Sequence, residues 1–306
     1  MPAQSFNAFC PDWATALLNG FSQIFLQRHP LCGLLCLLAI LIGAPAQLGG
    51  ALLGALAGLL TAQRRGYAKA DRQAGLFSYN GVLLGLLLSL YLPWSVLLPP
   101  LIIAAAGLSA ILTQQWLKRA RQPRSLPAYT APFVGLGWLL LSLMQPQAPL
   151  PPAVPELSLS SLLGGLLQGL GQIMFLGQPL AGLLILLGLL LANRRAATWA
   201  LVGSACGLAL ALWQQQQGQA LLGLAGYNSA LAALALGQQT RAPWRPLAGM
   251  SLALLITPGI VSLGLAPLTA PFVIACWLVH AATRVLDRTP RDNTPCAPPA
   301  SPPRLR

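Results

Sequence analysis

Charged residues are scarce in this chain: Asp, Glu, Lys and Arg make up 8% of its 306 residues, and only five residues are acidic. Soluble domains carry about 25% charged residues, so the composition excludes an ordinary soluble protein. Hydrophobic residues account for 56% of the chain, and they gather in stretches of roughly 17–25 residues, the length that crosses a bilayer. The sequence therefore predicts an all-α integral membrane protein.

Titratable side chains are equally scarce inside the apolar stretches. All five acidic residues fall in predicted loops, tails or membrane ends, and the two histidines, His29 and His280, fall at a helix break and near the end of the last stretch. A proton-coupled carrier keeps an ionisable relay inside the membrane. An enzyme needs a nucleophile with its base, a metal cluster or a phosphate loop, and the sequence contains no such pattern. We therefore expect a passive path for a neutral solute, with no catalysis, cofactor or metal; sodium coupling through carbonyls and hydroxyls stays open.

The basic residues orient the chain. The net charge is +13, but the basic residues stand in short clusters between apolar stretches, which indicates loop charge rather than a nucleic-acid surface. If the N-terminus is cytoplasmic and each stretch crosses once, 17 of the 18 basic residues lie inside, with Arg28 the exception. This predicts ten crossings, cytoplasmic termini and, from the composition, a bacterial inner (plasma) membrane. The stretches are 13–43, 46–62, 74–92, 95–117, 127–145, 161–192, 197–212, 221–237, 247–262 and 266–283.

Three segments of the chain recur in the same order. Residues 17–35 match residues 166–184 at ten of nineteen positions, residues 75–86 match 223–234 more loosely, and TAPFV at 130–134 returns at 269–273. Because each copy holds five crossings, an odd number, the second copy must enter the membrane in the opposite sense. The prediction is two inverted repeats, 1–145 and 161–286, with a proline-rich outside linker at 146–160 and a disordered cytoplasmic tail at 287–306.

The first stretch of each repeat is too long for a single straight helix. Residues 13–43 and 161–192 number about thirty, and Pro30 and Pro179 fall near their middles, where proline breaks or kinks a helix. Broken backbone at membrane depth is tolerated when it lines a cavity or packs within protein. We expect re-entrant or broken half-helices at the pseudo-two-fold pore, either here or in the short stretches that hold Tyr79 and Tyr227.

Polar residues also recur between the copies. Gln23 and Gln172 precede the prolines by seven residues, Thr130 and Thr269 precede Ala-Pro-Phe, and an asparagine follows each of Tyr79 and Tyr227. Such residues often join membrane helices by hydrogen bonds. Their recurrence favours a second interpretation, in which inverted copies bring them together at the midplane. There, amide and hydroxyl oxygens would replace the water of a small polar solute, and apolar walls would exclude ions.

The motifs together resemble those of the urea transporter family. Its pattern of Gln, two or three residues, an aromatic and Asn-Pro-Leu-x-Gly is similar to QIFLQRHPLCG at 23–33 and QIMFLGQPLAG at 172–182. Its Gly-Tyr-Asn-Gly-x-Leu-x-Gly-Leu is similar to SYNGVLLGL at 78–86 and GYNSALAAL at 226–234. Its Leu-Pro-x-x-Thr-x-Pro-Phe-Asn is similar to LPAYTAPFV at 126–134 and LAPLTAPFV at 265–273.

The resemblance implies a passive, channel-like urea pore in each protomer of a homotrimer. It places Thr130 and Thr269 at a central constriction and Gln23 and Gln172 in a ladder of acceptors. The walls of two binding slots would be Tyr79, Leu83, Tyr227 and Leu231, with Leu26, Ile173 and Phe175 as neighbours.

The chain departs from the family pattern at several of these motifs. Leu26 stands where the family often has Phe, Val134 and Val273 replace Asn, and Ser229 and Ala233 replace glycines. A short amide, ammonia or water therefore remains an alternative solute. An ion-coupled secondary transporter and a non-transporting membrane subunit are the alternative classes.

Overall fold

Every regular element in the described part of the chain is helical. The structure is a computed structural model that describes residues 12–120, 125–144, 153–239 and 242–286, and these ranges contain no strand. The helices are α1 (Asp12–Ser22), α2 (Pro30–Gly43), α3 (Pro45–Arg64), α4 (Lys69–Gln73), α5 (Tyr79–Tyr91), α6 (Leu98–Ala120), α7 (Ala131–Met144), α8 (Leu159–Gly171), α9 (Pro179–Ala192), α10 (Arg194–Trp213), α11 (Gln217–Leu221), α12 (Tyr227–Gln239), α13 (Trp244–Ser262) and α14 (Ala270–Leu286). Short 3₁₀ turns, Gln23–Phe25 and Gln172–Met174, follow α1 and α8.

The order of helices repeats, α1–α7 followed by α8–α14. Helices α2 and α9 have 14 residues each, α3 and α10 have 20, α4 and α11 have 5, and α5 and α12 have 13. The structural repeat therefore extends beyond the three segments in which the sequences agree. Each predicted stretch overlaps one of the longer helices or a bent pair of them, with ends that differ by a few residues. The short α4 and α11 lie where the sequence indicated loop or stretch boundary.

Four helices, α3, α6, α10 and α13, are long and apolar enough to cross a membrane alone, and two bent pairs raise the number to six. Helices α5, α7 and α14 are apolar but have only 13, 14 and 17 residues. They are shorter than the predicted stretches because those stretches also include non-helical turns, such as residues 127–130 before α7. A helical membrane protein is confirmed, and the count of ten crossings stays a prediction.

The predicted breaks at Pro30 and Pro179 are present. The segment Asp12–Phe25 meets Pro30–Gly43 at 76°, and Leu159–Met174 meets Pro179–Ala192 at 77°. Each proline is the first residue of its helix, where its missing N–H costs no hydrogen bond. The 3₁₀ turn that precedes each proline is followed directly by a residue in the left-handed conformation. This residue is Leu26 at φ 57° in the first copy and Phe175 at φ 60° in the second. The two copies thus break in the same way.

Small residues allow the helices of each half to pack closely. A Cβ atom on Gly54 of α3 would lie 2.0 Å from the carbonyl oxygen of Gly81 in α5, so only glycine fits there. The second half makes the same approach through Gly203 of α10. There Ser229, which replaces a family glycine, donates from Oγ to the carbonyl of Gly203 at 2.8 Å. This departure therefore serves a helix contact.

The two halves share one core. Helix α2 packs along α9, and the main cluster of buried side chains draws on both halves. The cysteines contribute as small apolar residues: Cys32, Cys36 and Cys276 are buried free thiols, and Cys206 is half-buried. Large apolar side chains such as Leu143 and Leu255 are exposed on the outer surface. That distribution suits a protein whose surroundings are lipid.

Candidate functional site

The structure brings the two repeated threonines together. Thr130 and Thr269 stand immediately before α7 and α14, both are buried, and they are 139 positions apart in the chain. Their Oγ1 atoms lie 2.6 Å apart, which is hydrogen-bond distance. The pair therefore joins the starts of α7 and α14 through their side chains.

Each threonine follows a strained turn. Tyr129 has φ 44° and Leu268 has φ 45°, the left-handed region that side chains other than glycine seldom adopt. Such backbone persists only where the surrounding structure holds it. The Tyr79 hydroxyl donates to the carbonyl of Tyr129, and Asn228 Nδ2 donates to the carbonyl of Leu268 at 3.1 Å. Both turns are thus held at the same backbone atom.

One tryptophan from the opposite half bonds to each turn. Trp277 of α14 donates from Nε1 to the carbonyl of Pro127 at 2.8 Å, and Trp138 of α7 donates to the carbonyl of Ala266 at 2.8 Å. The arrangement is reciprocal, because the helix that begins after one threonine holds the turn that carries the other. Sequence reasoning missed both residues, although their spacing was a signal: each follows its threonine by eight positions.

Aromatic rings lie beside the threonine pair. Phe133, three residues after Thr130, makes an edge-to-face contact with Phe175, with 6.2 Å between ring centroids. Its counterpart Phe272 makes a similar contact with Tyr129 at 5.0 Å. Phe175 therefore contacts the helix that begins after Thr130, whereas its counterpart Leu26 offers no ring at the equivalent position.

The other residues predicted as slot walls lie in the core around these turns. Leu83, Leu231 and Ile173 are buried, and Tyr227 is half-buried and packs against the same cluster. Tyr79 is buried, with its hydroxyl engaged on the turn before Thr130. In the structure as it stands, the Tyr79 hydroxyl therefore serves the turn.

The repeated glutamines offer polar atoms in a buried setting. Gln23 is 8% exposed, and its Oε1 has no hydrogen-bond partner within the described ranges. Gln172 donates from Nε2 to the carbonyl of Leu222 at 2.9 Å, and this bond leaves its own Oε1 free to accept. Two residues that sequence reasoning missed, Asn19 and Gln168, stand one turn earlier and carry similarly unpartnered amide oxygens. An amide four residues before each repeated glutamine was the available signal.

Two sets of polar contacts join the first half to the second. Tyr129 Oη lies 2.9 Å from His280 Nε2 and accepts from Gln239 Nε2 at 3.2 Å. Gln27 donates from Nε2 to Oε1 of Gln238 at 3.1 Å. The positions that correspond to these five residues in the other half are Leu268, Leu141, Tyr91, Leu176 and Leu90, so the chain does not repeat these contacts.

No group of three His, Cys, Asp or Glu side chains that could hold a metal ion occurs among the residues that the structure describes. The candidate site is instead built from hydroxyl, amide and aromatic groups. Buried neutral polar groups between broken, apolar helices are the arrangement of a helical membrane protein.

Comparison with known proteins gives the family. The family model described as urea transporter matches residues 14–284, which is most of the chain. Urea transporter 1 of Ovis aries is 29% identical over 245 residues, covering 74% of this chain and 62% of the relative. Urea transporter 1 of Rattus norvegicus is 28% identical over 280 residues, covering 85% and 68%. The chain belongs to the urea transporter family. It spans about three fifths of the length of the sheep relative that it matches.

Proposed function

We propose that this chain conducts urea, or a closely related small neutral amide, passively through a narrow path in each protomer. The observation that carries the proposal is the buried Thr130–Thr269 hydroxyl pair, 2.6 Å apart, at the meeting point of the two repeats. Membership of the urea transporter family and the name of the relatives support urea as the solute.

The chemistry of the site suits a planar amide. Urea presents one carbonyl acceptor and four N–H donors, and a threonine hydroxyl both donates and accepts. The oxygens of Gln23 and Gln172 accept N–H groups on the approach, and Phe133 and Phe175 supply flat apolar walls. Ions keep their water at such a site, because hydroxyl, amide and aromatic groups carry no charge that would replace it. Leu83, Leu231, Ile173, Tyr227 and Leu26 complete the slot walls in this proposal.

The same proposal includes the membrane architecture. Ten crossings in two inverted repeats, 1–145 and 161–286, would place both termini in the cytoplasm of a bacterium, with the protein in its inner membrane as a homotrimer. The distribution of basic residues and the repeated helix order support this arrangement. The linker 146–160 would lie outside. Part of that linker and the proposed cytoplasmic tail 287–306 fall outside the described residues.

Flux through purified protein in proteoliposomes tests the proposal. Stopped-flow light scattering should show rapid urea equilibration that does not change when a proton or sodium gradient is imposed. Accumulation against a urea gradient would instead establish an ion-coupled transporter. Leak-level urea flux in well-folded protein would refute urea as the solute, and short amides, ammonia and water would then be measured in the same vesicles.

A further inference from the structure

The two turns that carry the threonines are alike in backbone but are held by different side chains. Tyr79 and Asn228 perform the same task, since each donates to the carbonyl of the residue before a threonine. They are not counterparts in the repeat: Tyr79 corresponds to Tyr227, and Asn228 corresponds to Asn80. Two unrelated side chains therefore make one contact on two matched backbone atoms.

The aligned residues that do not hold a turn make other contacts. Asn80 donates from Nδ2 to Thr113 Oγ1 at 3.2 Å, which joins α5 to α6. Asn228 also accepts at Oδ1 from the backbone N–H of Phe272 at 3.2 Å. It therefore bonds to the backbone both before Thr269, at Leu268, and after it, at Phe272. The hydrogen bond to the carbonyl before each threonine is thus made by Tyr79 in the first half and by Asn228 in the second, and not by the aligned residues.

Trp138 and Trp277 add a second point of attachment, three residues before each threonine. With two carbonyls of each turn held by donors from other helices, the Cα and Cβ atoms of the threonine are fixed relative to the opposite half. A hydroxyl pair at 2.6 Å can then open by rotation of the side chains rather than by movement of the backbone.

We propose that Tyr79, Asn228, Trp138 and Trp277 are positioning residues that set the separation of Thr130 and Thr269, and through it the size of solute that passes. The statement about solute size rests on the proposed function. The statement about the separation of the two threonines stands apart from it and is tested separately.

Disulfide formation measures the separation without any transport. In a chain whose six native cysteines are replaced by alanine, Thr130→Cys with Thr269→Cys places two thiols where the hydroxyls lie 2.6 Å apart, close to the S–S bond length of about 2.05 Å. Diamide is the oxidant, and a maleimide gel shift reports the remaining thiols. We expect Tyr79→Phe, Asn228→Leu, Trp138→Phe and Trp277→Phe each to slow disulfide formation about tenfold, the effect of one lost hydrogen bond.

Matched controls separate positioning from general loosening. Asn80→Leu removes the aligned asparagine, and Trp94→Phe removes an indole that donates to the carbonyl of Ala46 at 3.1 Å, outside the threonine turns. Both should form the disulfide at the parent rate. Equal rates in all four test variants and both controls would overturn the proposal. Because Tyr79→Phe deletes one oxygen atom, this variant stays informative if larger changes prevent folding.

Solute selectivity tests the link to transport in chains with both threonines intact. A loosened pair should raise the ratio of methylurea to urea flux in Tyr79→Phe and Trp277→Phe several-fold, while Asn80→Leu keeps the parent ratio. A purely structural role would lower both fluxes equally and leave the ratio unchanged, which would overturn the selectivity claim. A parent protein without urea flux would refute the proposed function, and the disulfide rates would still decide whether the four residues position the threonines.

Discussion

The two halves of the molecule agree in backbone and disagree in the side chains around their threonines. Both have a 3₁₀ turn that ends in a left-handed residue, a bend of 76° or 77°, and a strained turn before the threonine. Beside those turns, Tyr129 joins His280 and Gln239, whereas Leu268 packs against Gly137. The repeat therefore specifies where the backbone breaks, and the unrepeated residues decide which of the two threonine turns has polar neighbours.

A close approach of helix backbones, present in both halves, gives the largest expected effect. Gly54→Val and Gly203→Val should both prevent stable folding, because a Cβ atom would lie 2.0 Å from the Gly81 carbonyl in one half and 2.5 Å from the Ser229 carbonyl in the other. Overpacking of this kind costs about 3 kcal/mol. The measurement is the yield of monodisperse protein in detergent. Gly135→Val is the control, since nothing lies within 4 Å of its added Cβ; tolerance of valine at position 54 would show that α3 and α5 are less close than described.

The threonine pair should give the next largest effect. Thr130→Val with Thr269→Val keeps the shape of both side chains and removes both hydroxyls, so urea flux should fall at least tenfold while the melting temperature changes little. The estimate assumes about 1 kcal/mol for each of the two hydrogen bonds lost to the passing solute, where about 1.4 kcal/mol is a factor of ten. Because the two hydroxyls form a single pair, either single variant breaks the same bond, and the two should match each other. Flux at the parent level in the folded double variant would remove the pair from the path.

The sequence predicted those parts of the site that recur. Pro30 and Pro179 indicated both breaks, and TAPFV indicated that Thr130 and Thr269 would be equivalent. The hold of Tyr79 on the Tyr129 carbonyl could not be predicted, since the residue that performs the same task in the other half is Asn228 rather than Tyr227. The contact between Tyr129 and His280 joins positions 151 apart without a repeated counterpart. Hydropathy also overestimated the lengths of α5 and α7, because the apolar residues of the neighbouring turns were included in the predicted membrane-spanning stretches.

Exchanging the residues before the threonines sharpens the comparison of the two sides. Tyr129→Leu gives the first half the residue of the second and leaves His280 and Gln239 without the phenol. The cost should be about 1 kcal/mol, because His280 is only half-buried and Gln239 is exposed. Leu268→Tyr should lower stability more. The Leu268 side chain already packs so closely on Gly137 that a Cβ atom added to this glycine would lie 2.8 Å from it, and the other neighbours there are apolar. Thermal unfolding in detergent compares the two. An equal fall in melting temperature in the two variants would mean that the surroundings of Tyr129 and Leu268 pack alike.

The smallest effect should come from an ion pair at the start of the first half. Lys69 Nζ lies 2.6 Å from Asp12 Oδ2, with both side chains 66% exposed, and the corresponding positions of the second half are Gln217 and Ser161. Lys69 lowers the pKa of the Asp12 carboxyl, which lies just before the first predicted stretch. A lowered pKa gives stability above the unfolded value of about 3.9 that is lost as the pH falls through the folded value. Asp12→Asn should therefore lower the melting temperature by less than about 1 °C at pH 7, because exposed pairs contribute little, and should not lower it at pH 3. A drop of several degrees at pH 7 would show that this end of α1 depends on charge in a way that α8 does not.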